Sequence, residues 1–199
     1  MPDTTEEIAQ AAEPLFELDR KARDLLHPHH RTPVVRLLRV IGEAGDQPQL
    51  RLLCAGVAAA GVLRGDLKMV RAGARMLLAH EIATAAKSAV KQSVDRWRPR
   101  SSADGKEHRP QAGGERDKEL SSFPSGHSAG ALAVAGAFAA EYPQHRGLAL
   151  AAAGAIGAIQ VPTCAHYPSD VLAGWGVGGA SAGLVSWVLA RVHRGTETR

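Results

Sequence analysis

Residues 166–190 read HYPSDVLAGWGVGGASAGLVSWVLA. Pro168 has no N–H to satisfy and suits the first turn of a helix, so a helix is predicted to start there. Asp170 then falls in the first turn, where a carboxylate is favourable, and His166 lies just outside it. From Val171 to Ala190 run twenty residues without a charge, about what a bilayer core requires. Gly174 with Gly178, and Gly179 with Gly183, repeat the G-x-x-x-G spacing that lets helix backbones approach closely.

The rest of the chain agrees with a helical reading. Its 199 residues suffice for one domain with a core. Hydrophobic residues make up 45% but aromatics only 4%, so the apolar content is mostly small side chains. Charge is concentrated before residue 50 and between 95 and 120, and the last third is nearly free of it. The net charge of +4 suits anionic lipid or phosphate. No basic run is interleaved with aromatics, which argues against a nucleic-acid partner. Cys54 and Cys164 make no disulfide framework. The N-terminus, MPDTTEEIAQAAEP, lacks the basic region and apolar core of a cleavable signal peptide, so membrane insertion is expected through an internal helix.

Residues 1–12 are expected as a flexible tail. Residues 13–45 alternate apolar and basic positions at helical spacing and predict one or two amphipathic helices, broken near His27-Pro28-His29-His30. Those histidines have no helical register to aim them at a metal and read as a solvated turn. Helical segments follow at 52–63 and 69–90. Residues 101–121 lack periodicity and read as a long surface loop. Apolar segments at 128–140, 147–165 and 171–190 complete an all-α, membrane-embedded helical bundle, a single domain over 13–193 with a tail at 194–199. Two of these segments are long enough to span a bilayer.

Three short pieces carry candidate chemistry. Lys91 and Arg98, in KQSVDRWRP, are seven residues apart, two turns on one helix face, with Pro99 ending the helix. Taken alone they are also a basic helix C-terminus. In FPSGHSAG (123–130), Pro124 opens a helix whose uncovered N–H groups at Ser125 and Gly126 suit an anion, with His127 beside it. The simpler reading is a helix cap. In AHYPSDV, Asp170 stands about one turn from His166 and can accept its N–H, freeing the other nitrogen for attack. Threading the helices back and forth brings all three pieces to one end of the bundle.

These residues resemble the type 2 phosphatidic acid phosphatase superfamily, which holds lipid phosphatases, bacterial acid phosphatases and vanadium haloperoxidases. Its first motif, Lys, six residues, Arg-Pro, is matched by Lys91, Arg98 and Pro99; its second, Pro-Ser-Gly-His, is intact at 124–127. Its third ends His, three residues, Asp, at His166 and Asp170. The resemblance covers about residues 85–190. It implies that Lys91, Arg98, Ser125 and Gly126 bind the phosphoryl oxygens and that His166 attacks phosphorus to form a phosphohistidine. Asp170 would orient His166, and His127 would protonate the leaving oxygen, without a metal or other cofactor. One position departs from the pattern: Gln160 stands where the family has an arginine. Gln160 can donate hydrogen bonds but carries no charge.

The expected function is therefore a metal-independent phosphatase of membrane-lipid monoesters or pyrophosphates, of the phosphatidate, phosphatidylglycerol phosphate or polyprenyl phosphate class. The expected location is a bacterial inner (plasma) membrane. The alternatives are a silent polyprenyl-phosphate-binding membrane protein, a vanadate-dependent haloperoxidase and a soluble acid phosphatase. Gln160 leaves three readings: a weaker enzyme, an enzyme that recruits another cation from the loop such as Arg96 or Arg100, and a non-catalytic relative.

Overall fold

The computed structural model describes residues 4–102, 109–114 and 117–197. Among these described residues seven α-helices form the body: α1 (Thr4–Leu26), α2 (Pro33–Gly42), α3 (Gln47–Arg64), α4 (Leu67–Lys91), α5 (Gly126–Glu141), α6 (Arg146–Ile159) and α7 (Pro168–Glu197). Two short strands, β1 (Val94–Asp95) and β2 (Gln111–Ala112), pair antiparallel between α4 and α5.

The helix starts follow local chemistry. Thr32 caps α2 by accepting from the Val35 N–H at 3.4 Å, with Pro33 at the first helical position. Asp66 caps α4 by accepting from the Met69 N–H at 3.0 Å. Such caps are worth about 1 kcal/mol each. Gly65 supplies the left-handed residue (φ 66°) that turns α3 into α4.

Helix α5 is the axis of the bundle and packs against α4, α6 and α7. Its buried residues include Ala129, Ala131, Ala133, Ala135 and Ala137, which point to all sides because the helix has neighbours all round. Ala133, Val134 and Ala137 meet Leu50 and Cys54 of α3, Met76, Ala79 and Ala83 of α4, and Val185 of α7. Ala131 and Ala135 meet Ala153 of α6. The first G-x-x-x-G pair lies in this packing. A Cβ at Gly174 would stand 2.5 Å from the Ser125 carbonyl oxygen, and one at Gly178 would collide with the Ala129 carbonyl. The second pair is looser: a Cβ at Gly179 would only touch Leu132 Cδ2 at 3.8 Å, and one at Gly183 would meet nothing within 4 Å.

Several boundaries differ from expectation. Residues 4–12, expected as tail, are the first turns of α1, and α7 continues through Glu197 instead of ending at 193; residues 1–3 and 198–199 lie outside the described residues. Two parts of the loop 101–121, residues 103–108 and 115–116, also lie outside them, and the described remainder holds β2 and a 3₁₀ turn at Lys118–Leu120. Helix α6 stops at Ile159, because residues 160–166 fold into successive turns that return the chain to the site. Among the described residues one helix, α7 over Pro168–Val192, is therefore long and apolar enough to cross a membrane, where the sequence suggests two. The three histidines form a 3₁₀ turn between α1 and α2.

Candidate active site

At one end of the bundle α4 arrives, α5 begins, α6 arrives and α7 begins. They enclose a cavity of about 320 Å³. Lys91, Arg98, Gly126, His127, Gln160 and His166 all line it, so the three separate motifs converge as the threading required.

Arg98 reaches the cavity by a different route from the one expected. Helix α4 ends at Lys91, where the Gln92 N–H bonds back to Ala89 and Ser88, and the chain then turns into β1. Pairing of β1 with β2 and burial of Arg96 outweigh helix continuation up to Pro99. Arg98 is held by its Nε donating to the Lys118 carbonyl at 3.0 Å and Nη1 to the Ala165 carbonyl at 3.3 Å. Lys91 Nζ donates to the Ser121 carbonyl. Carbonyls fix both groups without supplying a counter-charge; burial, with Arg98 and Lys87 nearby, pushes the Lys91 pKa down to about 7, so Arg98 is the steadier charge of the two. Burial, with Arg100 nearby, pushes the Arg98 pKa down, but a guanidinium remains protonated.

The histidines face each other across this cavity, ring centroids 6.4 Å apart and planes at 63°. His127 Nε2 lies 2.8 Å from Asp46 Oδ1, a carboxylate delivered by the turn between α2 and α3. His166 is 2% exposed. Burial pushes its pKa down to about 4, with the Arg98 charge in the same direction and the Asp170 carboxylate opposing. The imidazole is therefore neutral near pH 7.

Asp170 is not where the simple dyad would put it. His166 Nδ1 stands 3.7 Å from Asp170 Oδ2, beyond a hydrogen bond, and has no hydrogen-bond partner among the described residues. The carboxylate is engaged elsewhere. Its Oδ2 accepts from the Tyr167 N–H at 2.8 Å, reaching back over the first turn of α7 as in a capping box, and from Ser122 Oγ at 2.5 Å. Its Oδ1 accepts from Arg96 Nη1 at 2.5 Å.

Ser125 also differs. Its N–H donates to the Asp170 carbonyl at 3.0 Å and its Oγ caps α5 by accepting from the Ser128 N–H at 3.4 Å. It is fully buried, ties α5 to α7, and leaves Gly126 as the cradle residue on the cavity wall.

Neither Arg96 nor Arg100 is available to stand in at position 160. Arg96 is 1% exposed and faces away from the cavity, bonded to Asp170, to Ser169 Oγ at 2.7 Å and to Asp19 Oδ2 at 2.7 Å. Arg100 lines the cavity, but Glu119 takes its Nη2 at 2.7 Å and its Nε at 3.2 Å. The Gln160 amide donates to the Ile156 carbonyl of its own helix at 3.1 Å.

The structure adds cavity residues that the motifs did not announce: Arg39, Asp46 and Lys87. Lys87 had a signal, since it lies one turn before Lys91 on the same face of α4. A Cβ on Gly126 would lie 3.1 Å from Lys87 Nζ, which places this ammonium over the start of α5. Arg39 and Asp46 are brought in by the fold of the N-terminal third and have no local signature.

A sequence profile of the PAP2 superfamily matches residues 69–194. The chain is 46% identical over 70 residues, 35% of its length, to the lipid A 1-phosphatase of Rhizobium etli, and 44% identical over 70 residues to that of Rhizobium johnstonii. Those matches span 30% and 29% of the relatives' own lengths. The crystal structure of a transmembrane PAP2-type phosphatidylglycerolphosphate phosphatase from Bacillus subtilis aligns over 90% of this chain and 96% of its own, with a TM-score of 0.42 and 20% identity.

Proposed function

Since this chain belongs to the PAP2 superfamily, we propose that it is a metal-independent phosphatase of phosphorylated membrane lipids, working through a phosphohistidine on His166. The observation that carries this reading is the pair His127 and His166 facing each other at 6.4 Å across a cavity lined by Lys91 and Arg98. The gap accommodates one phosphoryl group between an attacking and a proton-donating nitrogen.

In the first step the lone pair of neutral His166 forms an N–P bond. The P–O bond to the lipid breaks, its electron pair stays on oxygen, and His127 delivers a proton there. Burial pushes the His127 pKa down, with Arg98, Lys87 and Lys91 adding to it, and the Asp46 carboxylate opposes this by favouring the protonated form that the step uses. In the second step His127 takes a proton from water, the resulting oxygen attacks phosphorus, and the N–P bond breaks. Lys91, Arg98 and the N–H of Gly126 at the start of α5 stabilise the charge on the equatorial oxygens.

A lipid substrate fits the surroundings. In the apolar window of α7 only 33% is buried inside the protein, and Leu172, Leu184, Trp187, Val188 and Val192 are exposed along that helix. We place α7 in the bilayer, with the cavity at its N-terminal end, where a phosphorylated headgroup sits. The lipid A 1-phosphatase matches support a lipid phosphate as substrate.

The test is phosphate release by the detergent-purified chain in EDTA, across phosphatidate, phosphatidylglycerol phosphate, a polyprenyl diphosphate and a phosphorylated lipid A. Release that disappears in His166→Ala supports the reading. Undiminished turnover in that variant, or no release from any lipid, overturns it.

A further inference from the structure

We infer that Arg39 supplies the guanidinium that position 160 lacks, so that the N-terminal helix α2 completes the phosphate clamp. The inference rests on the phosphatase reading and adds a substrate-binding residue from outside its motifs.

Four observations converge on Arg39. Helix α2 packs on α6, and its last turn touches the departed position: a Cβ on Gly42 would lie 3.0 Å from Gln160 Nε2 and 3.3 Å from Ile159 Cγ2. Arg39 precedes Gly42 by three residues, hence on the same helix face, and lines the same cavity as His127 and His166. Its guanidinium makes no hydrogen bond or ion pair among the described residues. The Arg39 charge also reaches the turn 160–166, where it opposes the burial that raises the Cys164 pKa.

The other cations do not fill this role. Arg96 and Arg100 are engaged by carboxylates. Lys87 sits over Gly126 and offers a point charge without a planar fork. The carboxylates on this rim are Glu43 and Asp46, the latter bound to His127. Arg39 is thus a planar, unengaged donor beside position 160, on a long arm that can swing onto an arriving phosphate. A family arginine at 160 would approach the phosphate from α6; here the same chemistry comes from the neighbouring helix.

The test is a charge relocation in the full-length, detergent-solubilised chain, read two ways: inorganic phosphate binding by calorimetry, and hydrolysis of a lipid phosphate. Arg39→Gln is expected to weaken phosphate binding and lower kcat/KM by about 10- to 100-fold. Arg39→Lys should recover only part of this, because it restores charge without the fork. Adding Gln160→Arg to Arg39→Gln should restore both readouts to within a few-fold of wild type. Circular dichroism of Arg39→Gln should match wild type, since the residue is exposed. Unchanged binding and hydrolysis in Arg39→Gln, or no recovery on adding Gln160→Arg, overturns the inference while leaving the phosphatase reading intact. A wild-type chain that neither binds phosphate nor hydrolyses any lipid phosphate overturns both.

Discussion

Arg96 holds Asp170 at 2.5 Å with both side chains fully buried, while His166 stands 3.7 Å from the same carboxylate. The acid of the third motif is thus anchored first by an arginine lying between the motifs, and Asp19 of α1 closes the network from the other side at 2.7 Å. Removing one partner of such a buried pair leaves uncompensated carboxylates. Arg96→Met should destabilise the protein by roughly 3–5 kcal/mol, read as a drop in Tm in detergent. Arg96→Lys should recover little, because one ammonium cannot serve Asp19, Ser169 and Asp170 together. A variant as stable as wild type would show that the network contributes nothing to folding.

The depressed pKa of His166 sets a pH dependence. The native value of about 4 lies below the ordinary 6.5, so the folded state disfavours the proton that the unfolded state accepts. The group's contribution to stability is complete above about pH 6.5 and is lost as pH falls toward 4. Denaturant midpoints from pH 7 to 4 should fall more steeply for wild type than for His166→Gln. Parallel curves would contradict a buried neutral imidazole.

Asp46→Asn should lower kcat about tenfold with KM little changed, since it removes the carboxylate that favours protonated His127. The basic limb of the pH–rate profile should move to lower pH, because the acid then loses its proton more easily. A profile of unaltered shape would assign Asp46 to folding alone.

Gly174→Ala adds a methyl 2.5 Å from the Ser125 carbonyl, at the junction of α7 with the start of α5. Overpacking there should cost about 1–3 kcal/mol and also lower turnover, because Ser125 and Gly126 shift with the helix end. Gly183→Ala, where a Cβ meets nothing within 4 Å, is the control and should leave both unchanged.

Much of this site is legible in the sequence. Lys91, Gly126, His127 and His166 could be placed because each sits at or beside a helix end marked by Pro or by loss of periodicity, and helix ends in a short-looped bundle must alternate sides. Arg98 was assigned to the right cavity through the wrong element, since no local signal shows that the chain leaves α4 at Lys91 to bury Arg96. Asp19, Arg39 and Asp46 were invisible for a related reason. Asp19 meets Arg96 across 77 residues, Asp46 meets His127 from a distant turn, and Arg39 reaches the cavity only through the packing of α2; neither periodicity nor motif spacing reports relations of that range. The dyad expected from the His166–Asp170 spacing missed competition: three other donors reach the carboxylate first.

The turn that carries Asp46 to His127 has one more implication. It lies upstream of the stretch 69–194 that defines the family, as do Asp19 and Arg39. Swapping the first three helices between relatives would exchange the carboxylate beside His127 and the buried anchor of Asp170, leaving every signature residue untouched. The first three helices thus border the candidate site without carrying any of its motif residues.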